Sequence, residues 1–117
     1  MSSSHFREAL KSASELKLTV VGRKTGKKHT IPIWFATSGQ KLYLLPVNGM
    51  ANEWYKNVVK NPTLELQVSG KKLTAEAHPT KDKMMVEDAL DKFRAKYGAG
   101  DVKRYYPGQD VAVELSI

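Results

Sequence analysis

The chain contains no cysteine, which removes disulfides, thiolate zinc sites, iron–sulfur clusters and a cysteine nucleophile from consideration. That composition agrees with a reducing, cytoplasmic setting. Apolar residues nowhere run for the roughly 18 positions that a membrane-spanning helix needs. The opening residues, Met-Ser-Ser-Ser-His-Phe-Arg-Glu, lack the apolar centre of a signal peptide. Histidine is scarce, and His5, His29 and His78 stand too far apart for the i, i+4 pairing of a helical metal site, so no metal is expected. No G-x-S-x-G elbow occurs, and no G-x-G-x-x-G follows a strand. The P-loop pattern fails as well. Gly22 and Gly26 stand one residue too close, Lys28 occupies the Ser/Thr position, and a strand pattern follows. Glu65 and Glu76 fall on neighbouring strands, a commonplace arrangement of exposed acids rather than a hydrolase pair. With side-chain nucleophiles and metals set aside, catalytic residues are not expected, and any reaction must be borrowed from a bound cofactor.

What is present is ordinary in bulk and uneven in charge. At 117 residues, 41% hydrophobic and 26% charged, the chain suits one domain over 1–117 with a single core. The net charge is +7, which favours acidic partners. Residues 1–30 hold seven Lys or Arg against two acids, so the positive potential is local.

Residues 4–14 read as a short helix or arm (1–14) with Phe6, Leu10 and Ala13 on one face. Strand patterns then dominate. Leu16, Leu18 and Val20 alternate with polar neighbours. In 30–37, Ile31, Ile33 and Phe35 oppose Pro32, Trp34 and Ala36. Further strands are expected at 41–46, at Leu64–Val68, at Leu73–Ala77 and at Val111–Ile117. Asn52 caps a short helix that Asn61-Pro62 ends. Thr80 opens one long helix with Met84, Met85, Leu90, Phe93 and Tyr97 as its apolar stripe, and Gly98 closes it. A loop, 98–109, carries Tyr105-Tyr106-Pro107. The expected fold is mainly β (α+β): a six-stranded antiparallel split barrel with two or three peripheral helices.

Residues 22–32, Gly-Arg-Lys-Thr-Gly-Lys-Lys-His-Thr-Ile-Pro, hold the strongest functional signal. Two glycines frame a turn carrying Arg23, Lys24, Lys27 and Lys28, suited to an anion through charge and main-chain donors. The residues alone leave several readings open: a cofactor-dependent reductase, a non-redox carrier of an anionic lipid or tetrapyrrole such as haem, or a nucleic-acid-binding small barrel using Trp34 and Tyr43 as stacking platforms. Glu65 and Glu76 would repel phosphates and count against the last. Either a monomer or a homodimer is compatible.

An ordered series of motifs resembles the deazaflavin (coenzyme F420)-dependent nitroreductase and quinone reductase family, with the split barrel of flavin reductases. The series runs Gly22-Arg23-Lys24-Thr25-Gly26-Lys27, a basic position at His29, Pro32, Asn48-Gly49, Trp54-Tyr55-Lys56-Asn57, Asn61-Pro62 and Leu66-Gln67-Val68. The resemblance covers residues 16–77, about half of the chain. It implies that Arg23, Lys24, Thr25, Gly26, Lys27 and His29 hold the coenzyme's phosphate and oligoglutamate, with the Gly26 N–H among the donors. Pro32, Trp34, Pro46, Asn48 and Gly49 would wall its ring. Trp34, Trp54, Tyr97, Tyr105 and Tyr106 would meet a nitroaromatic, quinone or enone acceptor. His29 stands where many members carry Arg, and Val47-Asn48 where many carry Ser-Lys, so FMN is the alternative cofactor.

Overall fold

The computed structural model describes residues 2–117, with side chains from His5 onward. Alternation builds the first sheet. Leu16, Leu18 and Val20 are buried along β1 (Leu16–Val21), while Lys17 and Thr19 turn outward. β1 pairs antiparallel with β2 (Lys28–Ile33) on one side and β5 (Thr63–Val68) on the other. β5 turns at Ser69 and Gly70, both at positive φ, into β6 (Lys71–Glu76), giving the order β2-β1-β5-β6. The second sheet, in the order β3-β4-β8-β7, contains β3 (Ala36–Ser38), β4 (Lys41–Leu44), β7 (His78–Thr80) and β8 (Ala112–Ser116).

The expected six-stranded barrel is therefore corrected: eight strands form two four-stranded antiparallel sheets that do not close. The cause is local. The run 30–37, which reads as a single strand, bends and changes sheet, leaving the first sheet at Ile33 and resuming pairing at Ala36. The strand expected at Leu73–Ala77 spans Lys71–Glu76, and past Ala77 the chain enters the second sheet as the unexpected β7. Corners where strands switch sheets are how two packed sheets share a core. Side-chain alternation slips at the first corner, so the neighbours Phe35 and Ala36 are both buried.

The second sheet has core on both faces. Leu42, Leu44, Val113 and Leu115 point into the space between the sheets, where Phe6 and Leu10 of α1 (Ser2–Leu10) also pack. Tyr43, Leu45 and Ala112 face the other way, against α3 (Lys83–Tyr97). Tyr43 is thus buried and offers no stacking platform for a base.

α3 begins later than expected. Asp82, not Thr80, supplies the cap, its carboxylate accepting from the Met84 N–H at 2.9 Å, and Thr80 belongs to β7. The buried stripe is Val86, Ala89, Leu90 and Phe93. A helix in that phase turns Met84 away, leaving it 83% exposed, and leaves Met85 exposed as well; the expected packing of this methionine pair is corrected. Gly98, at φ +96°, breaks α3, and the segment read as a loop from Gly98 instead forms α4 (Ala99–Tyr105). Its Val102 and the following Tyr106 are buried against α3, which a two-turn helix hides from sequence periodicity. α2 (Glu53–Lys60) follows a 3-10 turn at Gly49–Ala51. No helix among the described residues is long and apolar enough to cross a membrane.

The helix phase has a direct consequence. Phe93→Ala should cost about 3–5 kcal/mol of unfolding free energy by leaving a cavity in the second core. Met84→Ala should change it by less than about 0.5 kcal/mol. Denaturant titration of both variants checks the pair, and comparable losses would contradict the phase of α3.

Candidate functional site

The basic turn is closed by its own backbone. The Gly22 N–H donates to the Lys27 carbonyl at 2.7 Å, and the Gly26 N–H donates to the Gly22 carbonyl at 2.9 Å. The Lys27 N–H donates to the Thr25 hydroxyl at 3.2 Å. The Gly26 N–H, expected to face a ligand, is therefore spent inside the turn. Gly26 needs its positive φ of 74°, but Gly22 is glycine for another reason: a Cβ there would stand 3.0 Å from Nε2 of His29. The imidazole fills the space over that backbone.

Arg23 locks the turn to α2. Its backbone N–H and its Nη1 both donate to Oδ1 of the buried Asn57, at 3.1 and 2.7 Å. Its Nη2 pairs with Oε1 of Glu53 at 3.0 Å. The hydrogen bond and charge of Arg23 hold the Glu53 carboxyl below its usual range. The start of α2 is also fixed by its cap Asn52, whose Oδ1 accepts from the Trp54 and Tyr55 N–H groups and whose Nδ2 donates to the Val47 carbonyl. Two motifs 34 residues apart are thus halves of one clasp. By contrast, the Lys24 and Lys27 ammonium groups have no ion-pair partner among the described residues.

The clasp walls a cleft of about 650 Å³, lined at its polar end by Arg23, Lys24, Thr25, Lys27 and His29. A second cleft of about 430 Å³ is lined by Pro32, Trp34, Leu45, Val47, Tyr105 and Tyr106, with Glu15 at its rim. Ile31, Asn52 and Trp54 line both. The two are one groove, cationic at one end, apolar in the middle and aromatic at the other. Ile31 lies on the same face as the buried Leu18, its partner across the ladder, yet is 36% exposed because the groove opens over it.

The aromatic end rests on Tyr97. Its ring stacks on Trp34 at 4.1 Å and 11°, and Tyr105 meets Trp34 edge-on at 5.4 Å. The Tyr97 hydroxyl accepts from the Phe35 N–H at 3.0 Å and lies 2.7 Å from the Ser14 carbonyl. Burial pushes this phenol up to about 12. Burial also raises the Tyr106 phenol. Tyr97 stands behind Trp34 and does not line the groove.

The structure thus brings together Arg23, Lys24, Thr25, Lys27, His29, Pro32, Trp34, Trp54, Tyr105 and Tyr106 around one groove. It leaves Pro46, Asn48 and Gly49 outside the lining: Pro46 and Gly49 are buried, and a Cβ at Gly49 would strike Asp110 Oδ1 at 2.2 Å. The close approach at Gly49 is to that carboxylate, not to a ring. Sequence reasoning gave no role to Glu15, Ile31, Glu53 or Asn57. The Asn in Trp-Tyr-x-Asn was the available signal for the last.

The profile of a family described as "Uncharacterized protein conserved in bacteria (DUF2255)" matches residues 7–111. Among solved structures, the chain is similar to an F420-H2-dependent reductase, FDR-A, at 20% identity and a TM-score of 0.69, covering 88% of this chain and 94% of that one. It is similar to HutZ, the heme storage protein from Vibrio cholerae, at 13% identity and 0.74, covering 97% and 87%. A NimC/NimA family protein from Clostridium acetobutylicum matches at 18% identity and 0.72, covering 99% and 82%. At these identities the likeness establishes the fold, the flavin-reductase-like split barrel.

Two measurements follow from the clasp and the stack. Asn57→Ala should destabilise by about 2 kcal/mol, because a buried acceptor of a charged donor is lost. Glu53→Ala should cost less than about 1 kcal/mol, since that ion pair is exposed. Thermal unfolding ranks the two, and the reverse order would contradict the clasp. For Tyr97, the folded phenol near 12 lies above its ordinary value of 10. Its stability contribution is therefore complete below pH 10 and is lost as pH rises through about 12. In denaturant titrations across that range, Tyr97→Phe should flatten the alkaline loss of stability; an unchanged slope would refute the assignment.

Proposed function

The chain belongs to the DUF2255 family, and from its groove we propose that it is a reductase that binds a deazaflavin coenzyme and delivers a hydride to planar nitroaromatic, quinone or enone acceptors. The observation that carries this reading is the continuity of the two clefts through Ile31, Asn52 and Trp54. A ligand with an anionic tail and a flat ring has that same polarity. The fit is favourable at both ends: two lysines without ion-pair partners face the polar cleft, and an apolar wall of Val20, Ile31 and Trp54 adjoins them.

Lys24 and Lys27, with the Thr25 hydroxyl and His29, hold the phosphate and its acidic extension. Each charge-assisted contact contributes on the order of 1.5–3 kcal/mol where solvent is excluded, and less at an exposed ammonium. Ile31 and Trp54 hold the ring edge, and Trp34 and Tyr105 meet the acceptor beside it, with the buried Tyr106 behind them. The reduced coenzyme, when bound, supplies the hydride. The protein contributes alignment of two planar partners and a groove wall that keeps water from the reacting faces. The likeness to FDR-A supports this reading through the fold it shares.

Both tryptophans of the chain, Trp34 and Trp54, line the groove, so their fluorescence reports occupancy. Parallel titrations with deazaflavin coenzyme, FMN and haem should show tightest binding for the coenzyme. Lys24→Ala and Lys27→Ala should each weaken it roughly tenfold at low salt and less at high salt. A Lys24→Ala/Lys27→Ala double variant that keeps full affinity, or tighter binding of FMN or haem, would overturn the deazaflavin assignment.

A further inference from the structure

Charge in the groove is divided between its ends. Every cation of the lining, Arg23, Lys24, Lys27 and the ionisable His29, belongs to the first cleft, whose one carboxylate, Glu53, is paired with Arg23. The aromatic cleft has one ionisable group besides its tyrosines, the carboxylate of Glu15. Glu15 is exposed at the rim and has no hydrogen bond or ion pair among the described residues. Its main chain is nonetheless fixed. The preceding Ser14 carbonyl lies 2.7 Å from the Tyr97 hydroxyl, and the following Leu16 is buried at the start of β1. The same Tyr97 ring carries the Trp34 stack, so one side chain sets both the aromatic floor and the carboxylate beside it. None of the neighbouring cations is paired with Glu15 among the described residues. Lys96 donates to the Phe35 carbonyl at 3.0 Å and lies over the Phe35 ring, and Arg104 packs on Tyr105 at 5.7 Å. Lys17 meets Glu15 only around the separate hollow beside Gln67.

We propose that Glu15 is a specificity-determining residue that makes the aromatic end select neutral or cationic planar acceptors and reject anionic ones. This rests on the reading of that end as the acceptor site. A negative charge on a side chain anchored by its main chain at the cleft rim acts on a stacked ligand within a few ångströms, where an exposed pair still interacts appreciably and salt screening is incomplete. The effect also orients the coenzyme: a polyanionic tail is drawn to the lysines and kept from the tyrosines. The acceptor class is thus a flat aromatic or quinonoid ring without a carboxylate or sulfonate, and amine-bearing rings are preferred.

The test needs no coenzyme. Naphthoquinone, its sulfonate and its trimethylammonium derivative are titrated against the full chain by tryptophan quenching. The wild type should bind the cationic probe about tenfold more tightly than the sulfonate at low ionic strength, with the ratio shrinking as salt is added. Glu15→Gln should bring the two within about twofold while leaving the neutral probe unchanged, because only the charge term is removed. Glu15→Lys should invert the order. Equal or tighter sulfonate binding by the wild type overturns the proposal. So does a cationic preference that survives in Glu15→Gln, which would assign it to the aromatic faces themselves. Failure of all three probes to bind would instead remove the acceptor site on which the inference stands. Coenzyme affinity, measured separately, should be the same in Glu15→Gln as in the wild type to within about twofold, since Glu15 lies at the far end.

Discussion

The groove exists because one arginine is tied down. Without the bonds from Arg23 to Asn57, the only polar tie between α2 and the basic turn joining β1 to β2 would be the exposed contact of Arg23 with Glu53. Asn57 is the only buried polar or charged side chain among the described residues, and its carbonyl oxygen takes both a main-chain and a guanidinium donor. An unpaired amide at that depth would be costly, so the turn and the helix stabilise each other. Glu53 adds little at its exposure, but it neutralises the guanidinium on the solvent side. The result is a rigid wall with Trp54 held against it.

Sheet switching supplies the other wall. β2 is an edge strand whose residues from Lys28 to Pro32 are exposed. Pro32 costs no outer ladder bond at such an edge. The chain then bends at Trp34, and this corner carries the indole from the first sheet towards α3 and α4. A continuous strand would have kept Ile31, Trp34 and the second sheet in one closed wall. The bend opens a trough between β2, α2 and α4, and that trough joins the two clefts.

Much of this was legible in the sequence. Strict alternation gave β1, β4, β5 and β8, and Asn52 and Asn61-Pro62 bounded α2. Other features were hidden for physical reasons. A bend that moves an extended chain between sheets leaves no mark in hydrophobicity, so 30–37 reads as one strand where β2 and β3 exist, and the short β7 after Ala77 goes unread. α4 is too short for periodicity, and Gly98 reads equally as an end and as a restart. Met84 and Met85 are apolar enough to mimic a core stripe, whereas Val86, Ala89, Leu90 and Phe93 define the true one. Two glycines were read for the wrong neighbour. Gly22 admits His29, and Gly49 admits Asp110; sequence names a glycine but never the atom that approaches it. Glu15 was invisible because nothing local connects it with Tyr97, whose hydroxyl holds the carbonyl of the preceding Ser14 from 83 residues away.

The division of labour among the cations bears on what the groove can hold. Arginine is suited to a fixed, planar, two-pronged contact, and lysine to a mobile point charge on a flexible stem. Here the arginine of the turn is spent on a fixed partner inside the protein, and the lysines are left for the ligand. A rigid single phosphate would be served better by the reverse assignment. Two lysines on a turn whose Gly22, Arg23, Gly26 and Lys27 N–H groups are already occupied can follow an anionic chain that bends and varies in length. The proposed coenzyme, with its phosphodiester and acidic tail, has that character more than a compact mononucleotide does. The clasp thus does more than support the helix: it ties Arg23 to fixed partners in α2, which agrees with the proposal of an extended polyanion held by the lysines.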